Sequence, residues 1–290
     1  MREPLWILQK RFVDRRLPLP IAKAYLLILL AGLDYLHSEC RIVHTDLKLD
    51  NILMTFESED ILSNFIKEQT TNQPMQYKTD PTSGRTIYRC HNDFGSLDWR
   101  ELRKMLPKIV DFGLSTRLES GSQGQVRNET AGFYPIQPDQ YRAPEVILGC
   151  PWSFSADIWN IGVLAWNIIE NTDLFLHVHD SQAHYNPKTH LAEMIALFGP
   201  PPKELLAKSE AMAGFSWSKP IMNETGRLCN NGREYFNGPL RKMRKLEDSI
   251  RSLEHKERQA FLSFVSLALA WNPEDRQTAS ELMEHPFLNG

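Results

Sequence analysis

The sequence predicts a mainly α-helical protein with a small β region, and three patterns support this. Residues 21–37 and 155–170 are apolar on nearly every side, which predicts two helices packed on all faces. Further helical patterns cover residues 189–198, 202–208, 247–253, 257–270 and 278–284. Two short apolar runs, 52–54 and 108–110, predict a pair of strands.

Size and composition allow one large domain or two small ones. The chain has 290 residues, 42% of them apolar, and a formal charge of −3 from 33 basic and 36 acidic side chains. Nothing in this balance points to direct binding of nucleic acid or of an anionic membrane. The four cysteines lie far apart without a CxxC pair, which indicates reduced thiols and a cytoplasmic and/or nuclear protein.

The first apolar run is too short for a signal peptide. Residues 24–33 are almost continuously apolar, but they are bounded by Lys23 and Asp34. A bilayer requires about 20 apolar residues, so the sequence predicts a buried core helix without membrane association.

Residues 55–107 form a long insertion between the two predicted strands. The polar run 69–74 and the turn-rich run 80–84 are typical of surface loop, while residues 86–90 are a candidate strand. We expect this insertion to be partly ordered.

The residues most clearly suited to chemistry lie in the loop 44–51. Asp46, Lys48 and Asn51 place a carboxylate, an ammonium and a carboxamide at short fixed intervals. Such a trio can receive a hydroxyl proton, hold a phosphate and bind a metal ion. Taken alone, the same residues also fit an ordinary polar loop between a helix and a strand.

Further motifs follow in a fixed order. Asp111 opens an Asp-Phe-Gly tripeptide directly after the second predicted strand, and Glu145 closes an Ala-Pro-Glu tripeptide at the end of a loop of activation-segment size. Asp157 lies in the predicted helix 155–170, and Arg276 lies near the end of the chain. Their joint occurrence in this order makes the ordinary-loop interpretation very weak.

With these motifs the chain resembles the eukaryotic protein kinase superfamily, and more narrowly the serine/arginine-protein kinase (SRPK) branch as found in fungi. The closer resemblance depends on His-Thr-Asp at 44–46, on the run Pro-Ile-Gln-Pro-Asp-Gln-Tyr-Arg-Ala-Pro-Glu at 135–145, and on the long spacer between Asn51 and Asp111. It covers residues 4–288. The resemblance implies a protein-kinase-like large (C-terminal) lobe with a catalytic loop at 44–51, an activation segment at 111–145 and a helical subdomain at 155–288.

The resemblance also implies a serine/threonine protein kinase that uses ATP and Mg²⁺ on a protein substrate, with Arg/Ser-rich proteins as candidates. Asp46 would orient the substrate hydroxyl, Lys48 would offset the phosphoryl charge, and Asn51 and Asp111 would ligate Mg²⁺. Lys48, Asn51 and Asp111 would contact the nucleotide together with Leu53 and Val110, the apolar floor and back of the adenine site. The alternative is a non-catalytic docking module derived from a kinase.

Three structural consequences follow from the same resemblance. Glu145 would form an ion pair with Arg276, and Asp157 would accept backbone N–H bonds from the Asp46 loop. Thr45 stands where other kinases have an arginine that pairs with a phosphorylated activation loop. We therefore expect any activity to be independent of such a phosphate.

Only 45 residues precede Asp46, and they contain no glycine-rich phosphate loop, strand lysine or helix glutamate. The sequence therefore predicts that the small (N-terminal) lobe is absent and that the adenine floor is an exposed apolar surface. A truncated record of a complete kinase, a short product without phosphotransfer activity and a docking module all remain open. The first is favoured because the catalytic residues of the large lobe are intact.

Two rival motifs are weaker. Asp93 opens a second Asp-Phe-Gly, but His91 and Asn92 precede it where an apolar strand is required. Four histidines between 177 and 190 resemble a metal cluster only loosely, because they lack cysteine partners and an i, i+4 pair on a helix. We expect them to lie in a solvent-exposed loop.

Overall fold

The computed structural model describes residues 1–72, 75–89, 94–118, 131–180, 182–211 and 245–290. The predicted tripeptide at 93–95 therefore lies partly outside the described residues, as does the middle of the activation segment.

The described residues form a mainly helical structure with a small β region, as the sequence predicts, and the β region consists of three two-stranded antiparallel sheets. In chain order the helices are α1 (Leu5–Gln9), α2 (Leu19–Ser38), α3 (Asp60–Lys67), α4 (Pro144–Ile147), α5 (Ser155–Glu170), α6 (Pro187–Phe198), α7 (Lys203–Ala211), α8 (Leu246–Ser249), α9 (His255–Ala268), α10 (Ala279–Met283) and α11 (Pro286–Asn289). The strands are β1 (Ile42–Val43), β2 (Ile52–Met54), β3 (Tyr77–Thr79), β4 (Thr86–Tyr88), β5 (Pro107–Ile109) and β6 (Thr116–Arg117).

Helix α5 lies at the centre of the core, and its bounds are those predicted from the sequence. Fifteen of its sixteen residues are buried. Gly162 allows α9 to approach closely, since a Cβ atom there would lie 2.7 Å from the side chain of Leu269. The helix therefore provides a rigid support for anything attached to its N-terminal turn, where Asp157 lies.

Helix α2 is the other long core helix. By length and composition alone, the stretch 13–38 is the one part of the described chain that could cross a membrane. In the fold, however, α2 packs against α5, α10, α11 and β5, and residues such as Leu26, Leu30 and Leu33 are fully buried. This packing confirms the prediction of a buried core helix.

The predicted strand pair is present as β2 and β5. Ile52 faces Ile109 and Met54 faces Pro107, so the second strand begins and ends one residue earlier than predicted. The backbone N–H of Val110 still donates to the carbonyl of Asn51 at 3.0 Å. A second pair, β1 with β6, joins the residues before His44 to the residues after Asp111.

The described residues of the insertion include regular secondary structure. It contains α3, the exposed hairpin β3–β4 and the short 3₁₀ helix Trp99–Lys104. The hairpin includes the candidate strand at 86–90, although Cys90 lies outside the described residues. A buried ion pair between Arg2 and Glu57, with N and O 2.7 Å apart, attaches the start of the insertion to the N-terminal residues.

The C-terminal helices agree with the predicted ones except α8, which ends at Ser249 instead of continuing to residue 253. The reason is a tertiary contact. The carboxylate of Glu170 accepts the backbone N–H of Arg251 at 3.0 Å and of Ser252 at 3.1 Å. These bonds hold the two amides in a non-helical loop.

The N-terminal residues pack against strand β2. Leu5 and Leu8 are fully buried, Pro4 forms a β-bridge with Leu53, and the N–H of Met54 donates to the carbonyl of Glu3 at 2.9 Å. Leu53 and Val110 are both half-buried. Their role as the apolar floor and back of an adenine site stays a prediction.

Candidate active site

The loop 44–51 begins where β1 ends, and Asp157 of α5 holds its first turn. The N–H of His44 donates to Asp157 Oδ2 at 2.6 Å, and the N–H of Thr45 donates to Oδ1 at 2.9 Å. His37 Nε2 lies 3.0 Å from Oδ2. Asp157 is fully buried, so these partners compensate the cost of removing its charge from water. The predicted anchoring of the loop is confirmed.

His44 links this loop to the segment that carries Asp111. Its Nε2 lies 3.0 Å from the carbonyl oxygen of Val110, and its ring packs against the ring of Phe112 with centroids 5.0 Å apart. Since a carbonyl only accepts, Nε2 carries the proton in this bond. The residues on both sides of Asp111 are therefore in contact with the loop that carries Asp46.

Asp46, Lys48 and Asn51 form one hydrogen-bonded cluster. Lys48 Nζ lies 3.0 Å from both carboxylate oxygens of Asp46. Asn51 Nδ2 donates to Asp46 Oδ2 at 2.7 Å and to its carbonyl oxygen at 2.9 Å. The Asp46 carboxylate is thus fixed in position beside a cation, which is the arrangement needed to orient a hydroxyl group near a transferring phosphoryl group.

Asp111 differs from Asp46 because it is exposed and its carboxylate has no hydrogen-bond partner in the described part of the chain. Its backbone has φ 66° and ψ 71°, the left-handed region that non-glycine residues seldom adopt. Such a conformation costs about 1 kcal/mol or more and is common at functional sites. The strained backbone presents a free carboxylate beside the Asp46 loop.

The available oxygen atoms fit Mg²⁺. Asn51 donates through its Nδ2 to Asp46, and its amide oxygen receives no hydrogen bond from the described residues. Mg²⁺ typically takes one or two protein oxygens and completes its shell with phosphates and water. Across the ranges described above, no group of three or more His, Cys, Asp or Glu could hold a metal by itself. The amide oxygen of Asn51 and the carboxylate of Asp111 are oxygen donors of the type that Mg²⁺ prefers.

Thr45 connects the two halves of the site without a charge. Its backbone is left-handed, with φ 69°, and its hydroxyl donates to the carbonyl of Leu114 at 2.9 Å. This bond connects Thr45 to the residues after Asp111. An arginine at position 45 would instead need an anionic partner. The contact depends on no phosphate.

Glu145 and Arg276 form the predicted ion pair. Two parallel hydrogen bonds of 2.7 Å join the carboxylate to the guanidinium, and both side chains are fully buried. Arg276 also donates to the carbonyls of Ala270 at 2.9 Å and Ser155 at 2.9 Å. Through Arg276, the end of the activation segment is attached to the start of α5.

Sequence reasoning missed Gln137. Its Nε2 donates to the carbonyl of Ala156 at 2.8 Å, and its Oε1 accepts the N–H of Ala143 at 2.8 Å. Gln137 also has a left-handed backbone, with φ 74°. It lies in the run 135–145 that supports the narrower resemblance, but a glutamine in a loop gives no sequence signal of a buried bridging role.

The four histidines are not brought together. His177 contacts Glu193, His179 contacts Asp139, and His184 contacts Asp180. His190 is fully buried in α6 with its Nδ1 3.0 Å from the hydroxyl of Tyr185, so the expectation of a solvent-exposed position is wrong for it. Burial, with Arg142 and His179 nearby, lowers its pKa well below the ordinary value.

Comparisons with known proteins agree with this geometry. The family model for the protein kinase domain matches residues 98–288. A serine/threonine protein kinase of Aspergillus fumigatus is 34% identical over 281 residues, which cover 97% of this chain and 61% of that protein. The serine/threonine-protein kinase SRPK of Physarum polycephalum is 27% identical over 283 residues, covering 94% and 61%. The crystal structure of the kinase domain PF14_0431 matches with a TM-score of 0.58 and 24% identity, covering 99% of this chain and 71% of that chain.

This chain spans about three fifths of the length of these curated relatives. The expectation that the small lobe is absent is nevertheless not supported, because the matches to kinases run along almost the whole of this chain. That expectation depends on the number of residues before Asp46, and such a number does not show whether a lobe is present. The buried N-terminal residues Leu5 and Leu8 form part of the hydrophobic core.

Proposed function

Because this chain belongs to the protein kinase domain family, we propose that it carries the phosphotransfer centre of a serine/threonine protein kinase. The reaction would move the terminal phosphoryl group of ATP to a serine or threonine hydroxyl. The main support is the Asp46 cluster, which is fixed to the buried carboxylate of Asp157 and linked through His44 to the segment of Asp111. Protein kinases generally use ATP and Mg²⁺.

In the proposed mechanism each side chain has a separate task. Asp46 accepts a hydrogen bond from the substrate hydroxyl and orients it for attack. Lys48, held 3.0 Å from Asp46, offsets the negative charge that develops on the phosphoryl group. Asn51 and Asp111 would hold Mg²⁺ through their side-chain oxygens, and the ion would neutralise phosphate charge when bound. Leu53 and Val110 contribute apolar surface to the adenine site.

The substrate class and the compartment are further parts of this proposal. We infer that the acceptor is a protein serine or threonine, with Arg/Ser-rich segments as the first candidates, because SRPK of Physarum polycephalum is a relative. We place the protein in the cytoplasm and/or nucleus, since its dispersed cysteines fit a reducing compartment.

A nucleotide titration tests the metal assignment. ATP is titrated into the purified chain by calorimetry, once with Mg²⁺ and once with a chelator, for the wild type and for Asp111→Asn. We expect Mg²⁺ to tighten ATP binding in the wild type and to have little effect in the variant. Asp248→Asn, an exposed change on α8, is the control and should behave as the wild type. Equal Mg²⁺ dependence in all three proteins would contradict the role of Asp111.

A phosphotransfer assay then separates the kinase from the docking module. An Arg/Ser-repeat peptide is incubated with radiolabelled ATP and either the wild type or Asp46→Asn. We expect the variant to be slower by about 100-fold or more, since it lacks the group that orients the hydroxyl. Peptide binding without Mg²⁺-dependent nucleotide binding and without transfer would favour the docking module over the kinase.

A further inference from the structure

A groove of about 820 Å³ is lined by Trp152, which pairs with Gly132 of the activation segment. Its walls are largely apolar and include Pro151, Trp152, Phe154, Leu205 and Pro273, with Arg41 at one end. We call this the Arg41 groove. Its volume is in the range of cavities that enclose a small ligand.

Arg41 is held in an unusual way. It has a left-handed backbone, with φ 59°, and its guanidinium lies 4.6 Å from the centre of the Phe154 ring. Its Nε atom is buried and has no hydrogen-bond acceptor, and no acidic side chain in the described part of the chain pairs with it. A half-buried cation without a counter-ion attracts an anion more strongly than a solvated surface arginine does.

The other charges in the groove are already neutralised. Lys208 pairs with Glu274, and Arg276 pairs with Glu145. The remaining titratable wall residue is Cys150, and burial raises the pKa of its thiol to about 12, so it carries no charge near neutral pH. Arg41 is therefore the one uncompensated charge on the described walls, which calls for a ligand with a single negative charge.

The side-chain hydroxyls of the walls also have partners. The hydroxyls of Ser153 and Ser155 lie 3.3 Å apart, and the hydroxyl of Thr278 donates to Glu281 at 2.9 Å. The backbone N–H and C=O groups of a bound peptide would lose water and would have to compete with these existing bonds. An alkyl chain has no such requirement and matches the apolar walls.

We propose that the Arg41 groove binds a long-chain carboxylate, with the carboxylate on Arg41 and the alkyl chain along Phe154, Trp152 and Leu205. The site is separate from the proposed nucleotide site. The groove is connected to two parts of the activation segment. The carbonyl of Arg41 accepts the N–H of Leu118 at 2.8 Å, and Trp152 Nε1 donates to the carbonyl of Tyr134 at 2.7 Å. A bound alkyl chain would stabilise the residues around Leu118 and around Tyr134.

Calorimetric titration of the purified chain with dodecanoate, below its micelle concentration, tests this site. Dodecanol tests the alkyl chain without the negative charge, and a short acidic peptide tests the negative charge without the alkyl chain. The variants are Arg41→Gln, which removes the cation, and Ser153→Trp, which fills the groove. Arg85→Gln, on an exposed loop of the insertion, is the matched control. Circular dichroism checks that each variant is folded.

We expect dodecanoate to bind at least tenfold more tightly than dodecanol. Arg41→Gln should weaken dodecanoate about tenfold or more and leave dodecanol unchanged, because a hydrogen bond to a charged group is stronger than one between neutral groups. Ser153→Trp should abolish binding of both, and Arg85→Gln should change neither. Absence of dodecanoate binding, equal affinity for dodecanol, binding that survives Arg41→Gln, or tighter binding of the acidic peptide would each overturn the proposal.

Discussion

The side chain of Asp157 and the backbone of His44 are joined by a hydrogen bond of 2.6 Å across 113 positions of sequence. Thr45 adds a second bond to the same carboxylate, at 2.9 Å. Both bonds are charge-assisted and buried, so they hold the turn before Asp46 more firmly than its own loop backbone could. The position of the catalytic loop therefore depends on a residue of the core helix α5.

Replacing Asp157 by alanine should reduce the free energy of unfolding by about 3 kcal/mol, because two buried N–H groups lose their acceptor. Urea unfolding followed by tryptophan fluorescence measures the change. Asp248→Ala removes an exposed carboxylate and should shift the unfolding midpoint little. A similar loss of unfolding free energy in Asp157→Ala and Asp248→Ala would show that the buried hydrogen bonds of Asp157 do not stabilise the fold.

The pair Glu145–Arg276 should behave as a buried unit. Arg276→Ala leaves Glu145 buried without a partner and should cost about 3–5 kcal/mol, whereas replacement of both residues by methionine should be less damaging than the single change. The exposed pair Lys208–Glu274 gives the contrast, since Lys208→Ala should cost less than about 1 kcal/mol. Chemical denaturation of the wild type and the three variants provides the comparison, and equal costs for the two ion pairs would contradict the prediction.

These buried contacts also show what could be predicted from the sequence. Asp157 is a charge within an apolar helix, so it required a partner, and the family resemblance implied the partners of both Asp157 and Arg276. The strands β2 and β5 were predictable because a short run with β-branched and aliphatic residues follows the loop 44–51 and another precedes Asp111. The helices α2 and α5 were predictable because their apolar residues extend over many turns.

Other features depend on tertiary contacts that leave no local pattern. The end of α8 is decided by Glu170, which lies 81 positions from Arg251. The bridging role of Gln137 follows from its left-handed backbone and from two buried partners. The number of residues before Asp46 gives no indication that Pro4 pairs with Leu53. Local propensity carries no information about contacts between residues far apart in the sequence.

If the proposed kinase activity is present, Thr45 should make it insensitive to phosphatase. The hydroxyl of Thr45 reaches the carbonyl of Leu114 directly, so no phosphate is needed to connect the two segments. Purified protein treated with phosphatase should keep its phosphotransfer rate within about twofold, as checked against a mock-treated sample. A kinase with arginine at the equivalent position serves as the positive control, which should lose activity. A steep loss here would show that a loop phosphate controls this protein too.

His190 should make stability fall in mild acid. Burial holds its pKa well below the ordinary 6.5, with Arg142 and His179 adding to the effect. Below pH 6.5 the unfolded chain therefore binds a proton that the folded chain does not, and stability decreases toward the folded-state pKa by up to about 1.4 kcal/mol per pH unit. Above pH 6.5 the contribution is fully present.

The test compares urea unfolding at pH 7.5 and 5.5 for the wild type and two variants. His190→Gln removes the titrating group, so its loss of stability between the two pH values should be about 1 kcal/mol smaller than that of the wild type. His184→Gln changes a histidine whose side chain is largely exposed and should retain the full loss. If His190→Gln and the wild type lost the same stability, proton uptake at another buried group would have to account for the acid sensitivity.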